Sequence, residues 1–282
     1  MADSPAPIVE LKHVSLRYNG TWALRDVNLA LAPGESRIVF GAAGSGKTTL
    51  LKAVTGLVSV DEGQICLFGQ DITRMKEREL FTLRARTGFL FQEGALFDSL
   101  TVRENVEYPL VNRHGENGRG RKEDTERRVR EALRFVELEE TLDKLPSELS
   151  GGMRRRVGIA RAIVAEPPLV LYDSPTAGLD PITANTIMAL ILKERDSRNT
   201  ASLVVTHRYQ DGEIMTDYRY DVQRGQLTKL SDREERQQRH TRVQFIVMRK
   251  GEIVFLGTLE ELEASEDEYV RRFIRCEENH AQ

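Results

Sequence analysis

Three short stretches of this chain carry residue types that together handle phosphate chemistry. GAAGSGKT, Gly41 to Thr48, has the spacing G-x-x-x-x-G-K-[ST], with an apolar run before it and a helical pattern after it. Glycines let consecutive backbone N–H groups turn inward at a helix start, which makes a nest for an anion. The cradle is expected to comprise Gly41, Ala42, Ala43, Gly44, Ser45, Gly46, Lys47, Thr48 and Thr49. In it Lys47 reaches the β- and γ-phosphates of a nucleotide, and the Thr48 hydroxyl ligates Mg²⁺. LVLYD, Leu169 to Asp173, is an apolar run ending in a carboxylate, suited to delivering Asp173 to the magnesium shell, commonly through water. If LVLYD is such a strand, the next position should hold a water-activating Glu. It holds Ser174.

The third stretch is LSGGMRRRVGIARA, Leu149 to Ala162. Ser150, Gly151 and Gly152 again form a bare-backbone helix start suited to an anion. One chain already has its own phosphate cradle. A second anion site is therefore best explained if it faces the γ-phosphate held by another copy. The arginines that follow, Arg154 to Arg156 and Arg161, read as a solvated face with no catalytic role.

These residues need a scaffold, and the patterning supplies one. Ile8 to Tyr18 alternates apolar and polar residues like a half-buried strand, and Trp22 to Leu31 repeats the pattern after an Asn19-Gly20 turn. Arg37 to Phe40 is a short apolar strand feeding the glycine-rich loop, and a helix then runs through Leu50 and Val54 to about Gly56. ICLFG and TGFLFQ read as two further strands. From about Gly94 to Glu166 the period turns helical. TVRENVEYPL opens with a Thr101 cap, and EDTERRVREALRFVEL is amphipathic, with HGENGRGRKED as an exposed loop between them. Beyond Pro168, LVLYD is a strand, PITANTIMALILKERD a helix with Pro181 in its first turn, and ASLVVTH a strand. VQFIVMRKGEIVFLG then adds strands. This order predicts an α/β fold: a P-loop NTPase core with a mainly parallel sheet, an N-terminal antiparallel β subdomain, and a helical subdomain inserted at about 95–165. The polar segment 221–240 is expected to be a flexible insertion or a solvated helix, and a charged helical tail should occupy 259–282.

Composition narrows the class. The 282 residues are 40% hydrophobic and 30% charged with a net charge of −3, so no basic field argues for nucleic acid. No apolar stretch approaches the roughly 18–20 residues needed to span a bilayer. MADSPAPIVE lacks the features of a secretory signal, and Cys66 and Cys276 show neither metal spacing nor a disulfide framework, so a cytoplasmic protein is expected.

Across residues 8–258 the chain resembles the ATP-binding subunits of ABC transporters. The resemblance rests on the order GAAGSGKT, Gln92 in FLFQ, LSGGM, LVLYD, SPTAGLD and His207 in VVTH. It implies a head-to-tail homodimer holding two ATP molecules, each between one chain's phosphate loop and the other's Ser150–Gly152. It further implies that Tyr18 stacks on adenine and that Gln92 touches Mg²⁺ and the attacking water. Asp180 would communicate across the dimer, and His207 would contact the γ-phosphate. LFQEGALFDSLTVRENVEYPL and LSGGM, with Met153 where most relatives carry Gln, look like the ATPases of Mla/Mce-type lipid transport systems. That narrower resemblance implies an MlaE-like integral permease, an MCE-domain protein, a small regulatory subunit, and a place on the cytoplasmic face of the inner membrane. Small-solute import and a non-transport ATP-dependent clamp are the rival readings.

In this family the residue after the strand aspartate is normally Glu. Losing a general base commonly costs about 10²–10⁴ in rate. Three outcomes are open for Ser174: slow hydrolysis with His207 and Gln92 orienting water, an ATP clamp that rarely reopens, or a carboxylate contributed from elsewhere.

Overall fold

The computed structural model describes residues 6–112, 122–221, 223–231 and 233–275. Strands β1 (Val9–Tyr18) and β2 (Thr21–Leu31) form a hairpin through Asn19 and Gly20, both at positive φ, the geometry of a tight two-residue turn. Then come β3 (Ser36–Gly41), α1 (Lys47–Val54), β4 (Glu62–Leu67), β5 (Gln70–Asp71), α2 (Glu77–Arg84) and β6 (Thr87–Leu90). The helical stretch holds α3 (Val102–Val111), α4 (Lys122–Phe135) and α5 (Gly151–Ile163). The chain continues with β7 (Leu169–Asp173), α6 (Pro181–Arg198), β8 (Ala201–Val205), α7 (Tyr209–Asp217), β9 (Tyr218–Asp221) and β10 (Gln226–Lys229). It closes with α8 (Arg233–Arg242), β11 (Val243–Arg249), β12 (Glu252–Gly257), α9 (Leu259–Glu263) and α10 (Glu268–Arg275).

A six-stranded sheet in the order β12-β11-β3-β8-β7-β6 is parallel throughout except for the β11–β12 pair. A separate antiparallel sheet runs β2-β1-β4-β5. The α/β core with its N-terminal antiparallel unit is therefore as expected. β3, β7 and β8 are buried along their whole length, which explains why they read as unbroken apolar runs. Their side chains alternate between two cores. Ile38, Phe40, Val170, Tyr172 and Val204 join the helical side, with Val106, Leu133 and Val157. Val39, Leu171, Leu203 and Val205 join the side of the antiparallel sheet, with Leu24, Leu50 and Ile65. The site is thus mounted on central strands clamped from both faces. No helix among the described residues is long and apolar enough to cross a membrane.

Two features depart from the patterning. Residues 77–84, between the strands of ICLFG and TGFLFQ, form α2, a helix that the alternation did not suggest. The 221–240 segment is not a loose spacer in its described part. β9 and β10 pair as a hairpin, Leu230 is buried, and α8 is tied down where Arg239 meets Asp196 and His240 meets Glu260. Polar contacts and scattered apolar anchors, Tyr218, Leu227 and Leu230, hold this excursion rather than a periodic stripe, so hydrophobic periodicity could not find it. The exposed loop expected at 114–124 lies largely outside the described residues, as does the end of the tail beyond 275.

Candidate functional site

The phosphate loop follows β3 directly and ends at Gly46, the N-cap of α1. Gly46 sits at φ 106°, and a Cβ there would collide with the carbonyl oxygen of Ala23 on β2. Only glycine lets the loop turn into the helix so close to the antiparallel sheet. Lys47 folds back over the loop, its Nζ donating to the carbonyls of Gly41 (2.7 Å) and Ala42 (2.9 Å). Burial lowers the Lys47 pKa, and the Asp173 charge opposes that shift. A buried cation beside a glycine-rich helix start suits an anion.

β7 brings Asp173 alongside, and Thr48 Oγ1 donates to its Oδ2 at 3.0 Å. Hydroxyl and carboxylate come from positions 125 residues apart. Ser174 follows at φ 53°, only 8% exposed, its N–H bound to the Val205 carbonyl and its Oγ 3.3 Å from Asp173 Oδ1. Arg155 of α5 donates to the carbonyls of Ser174 (2.9 Å) and Ala177 (3.1 Å). Asp211, fully buried on α7, accepts hydroxyls from both Thr176 and Thr206 at 2.5 Å. It thereby ties the loop after β7 to the one carrying His207. His207 itself stands at the rim, its pKa lowered by partial burial and then by the Lys47 charge, with Asp173 opposing.

A pocket of about 610 Å³ gathers these groups, a size ordinary for a small-molecule site. Ala43 to Thr49, Ser174 and His207 line it. Tyr18 and Trp22 close the end nearest the antiparallel sheet, and Gln92 closes another side. Gly41, Ala42 and Asp173 support this wall from behind, through the bonds to Lys47 and Thr48. The same pocket does not include Ser150, Gly151, Gly152 or Asp180. Ser150 caps α5 by accepting the Met153 N–H, and Asp180 caps α6 through Thr183. Gly151 lines a neighbouring pocket of about 660 Å³ that shares Gln92 and Ala177 with the first.

Besides Asp211, four contributors escaped the sequence reading. Arg155 and Arg161 are not a solvated face: both are buried, and Arg161 donates to the Gly94 and Ala95 carbonyls. Trp22, with the Arg17 guanidinium 3.7 Å over its ring, shares the pocket end with Tyr18. Tyr269 of α10 accepts the N–H of Ala42 (3.2 Å) and donates to the Met248 carbonyl (2.9 Å). The sequence hint for Arg155 was its place four residues after Gly151 on an apolar helix face. For Tyr269 there was none.

A phosphate cradle on a parallel sheet, with a lysine inside it and a strand carboxylate beside its threonine, defines a P-loop nucleotide hydrolase. The ABC transporter family profile matches residues 24–177. The chain belongs to that family, as an ATPase whose ATP hydrolysis is coupled to transport. It is 35% identical over 219 residues to the intermembrane phospholipid transport system ATP-binding protein MlaF of Haemophilus influenzae, covering 76% of this chain and 80% of that protein. It is 37% identical to the methionine import ATP-binding protein MetN of Carboxydothermus hydrogenoformans, covering 71% of this chain but only 59% of that protein. Among solved structures, the ATP-binding cassette MJ0796, as a post-hydrolysis dimer bound to ADP and Pi, superposes with a TM-score of 0.72 at 31% identity. That match covers 89% of this chain and 98% of that one.

Proposed function

We propose that two copies of this chain close head to tail on two Mg-ATP molecules and drive a separate membrane permease that moves phospholipid or another hydrophobic molecule across the cell envelope. One observation carries the reading: the pocket around Lys47 lacks a cap, while a cap-like helix start, Ser150 to Gly152, faces elsewhere on the same chain. A second copy reconciles the two. In the closed pair Tyr18 stacks on adenine, the loop amides and Lys47 hold the phosphates, and the partner's Ser150–Gly152 backbone caps the γ-phosphate. Asp180 relays closure between the copies.

Magnesium suits the donors, since a threonine hydroxyl and an aspartate carboxylate 3.0 Å apart are hard oxygen ligands. Thr48 and Asp173 would hold it with Gln92 beside them, and it would neutralise charge on the β- and γ-phosphates. Ser174 offers a hydroxyl where a carboxylate base would sit, so hydrolysis is slow and rests on His207 and Gln92 orienting water. Phosphoryl transfer tolerates this, because positioning and charge stabilisation supply most of its catalysis.

The permease docks through a cytoplasmic helix in the groove that holds Phe81, Phe91, Phe97 and Tyr108, about 760 Å³ and mostly apolar. These four rings are all partly exposed. An MCE-domain protein and a small regulatory subunit complete the assembly on the cytoplasmic face of the inner membrane. The lipid substrate is supported by the MlaF likeness. Small-solute import is the second reading, because MetN is similar at comparable identity. Co-expression with the membrane partners followed by identification of co-purifying molecules separates them. Retained phospholipid and an MCE-domain protein support the first, and a solute-binding protein supports the second.

A further inference from the structure

A pocket of about 220 Å³ opens at the end of the parallel sheet opposite the nucleotide cradle. Its walls come from Gly34 just before β3, Arg195, Asp196 and Asn199 at the end of α6, and Arg239 and Arg242 of α8. The cradle follows the C-terminal end of β3, so the two cannot be one site.

Three guanidiniums meet one carboxylate here, an excess of two positive charges (3 − 1) among the lining residues. Asp196 is fully engaged. Its Oδ1 accepts from Arg195 Nε and Arg239 Nη1, both at 2.9 Å, and its Oδ2 accepts the Tyr220 N–H at 3.0 Å. Those bonds fix two guanidinium planes and pin α8 and the β9–β10 hairpin to α6. They do not neutralise the group. Arg195 is only 7% exposed, and its Nη2 finds no acceptor. Burial pushes its pKa down to about 10. Arg242 has no ion pair with any described residue. A purely structural role accounts for Arg239 and for Arg195 Nε and Nη1, which holds the Met215 carbonyl. It leaves an uncompensated charge at the pocket: Arg195 Nη2 is buried without an acceptor, and the exposed Arg242 lines the opening without an ion pair among the described residues. A buried cation short of acceptors is costly, and a tetrahedral oxyanion can accept from several guanidiniums that line one pocket. Gly34 adds room: a side chain there would collide with Asn199.

We infer that this pocket binds a phosphoryl oxyanion, with Arg239 and Arg242 as its ligands and the buried Arg195 charge behind them, bridging α6 and α8. The inference stands apart from the nucleotide site and from the transport reading. The phosphoryl group comes either from a soluble phosphate compound or from a phospholipid headgroup.

The test keeps the nucleotide cradle saturated with Mg²⁺ and a non-hydrolysable ATP analogue. Inorganic phosphate is then titrated calorimetrically into the full chain, and retention on phosphatidylcholine vesicles with and without phosphatidic acid is measured in parallel. Saturable binding of at least one probe is expected, weakened at least tenfold by Arg239→Gln/Arg242→Gln. Arg242→Gln alone removes no side-chain hydrogen bond or ion pair seen among the described residues, so its several-fold loss, with an unchanged thermal midpoint, separates binding from misfolding. Phosphate binding without variant-sensitive vesicle retention identifies a soluble ligand. Variant-sensitive retention on phosphatidic acid identifies a headgroup. Failure of both probes to saturate, or equal binding by wild type and both variants, overturns the assignment.

Discussion

At Ser174 the backbone rather than the side chain holds the loop. Its N–H and C=O are both taken, by Val205 and Arg155, so exchanging the side chain gives up only the long 3.3 Å bond to Asp173. Ser174→Glu is therefore expected to raise steady-state ATPase activity at least several-fold, within the roughly 10²–10⁴ that a general base contributes. Unchanged turnover would mean that another group already activates the water. His207 supplies a second prediction at this scale. Its folded pKa lies below the ordinary 6.5 through burial and Lys47. The unfolded chain therefore binds that proton more readily, and stability rises with pH wherever it does. The nucleotide-free protein should be at full strength above the ordinary histidine value and should weaken as pH falls through it. Comparing thermal midpoints with His207→Gln between about pH 5 and pH 8 isolates the effect, and the variant should show the shallower acid loss.

The C-terminal helix α10 reaches the glycine-rich loop through Tyr269. One hydroxyl bridges the first amide of the phosphate loop and the end of β11, while Phe273 stacks on Phe40, the residue just before Gly41. A net hydrogen bond is worth about 0.5–1.5 kcal/mol, or about twofold to tenfold in affinity. Tyr269→Phe should weaken ATP binding by that factor while keeping ring packing and maximal turnover. Trp22, the only tryptophan of the chain, lines the pocket and reports binding by its own fluorescence. Identical affinities in the two proteins would reduce α10 to a packing element.

For the whole molecule the question is whether two copies pair as proposed. A Cβ built on Gly151 meets nothing within 4 Å, so the isolated fold accepts a large residue there. Gly151→Tyr should leave ATP affinity of the single chain within about twofold, yet block the closed pair and bring hydrolysis to background, because in the proposed pair the bulk would land on the partner's γ-phosphate. Sedimentation with saturating Mg-ATP checks this. A variant that still pairs and turns over would rule out the proposed cap. Lys47→Ala should fail earlier, losing nucleotide affinity by roughly two orders of magnitude, about 2.7 kcal/mol.

Much of this was legible along the chain because it is local. GAAGSGKT, with an apolar strand before it and a helix after, encodes its own turn, and buried parallel strands such as β3, β7 and β8 must read as apolar runs. What stayed hidden was joined across sequence distance by polar contacts. Arg155 reaches Ser174, Asp211 links Thr176 to Thr206, Tyr269 meets Ala42 over 227 positions, and Arg239 anchors on Asp196. Periodicity reports which face of an element leaves water, and a hydrogen bond between distant residues leaves no periodic trace. So the sequence by itself determined the family and the α/β core. Only the folded chain decided that two arginines of α5 are buried, that the C-terminal helix touches the phosphate loop, and that the 218–242 excursion closes an arginine-lined pocket, because those facts exist only once separate elements are packed together.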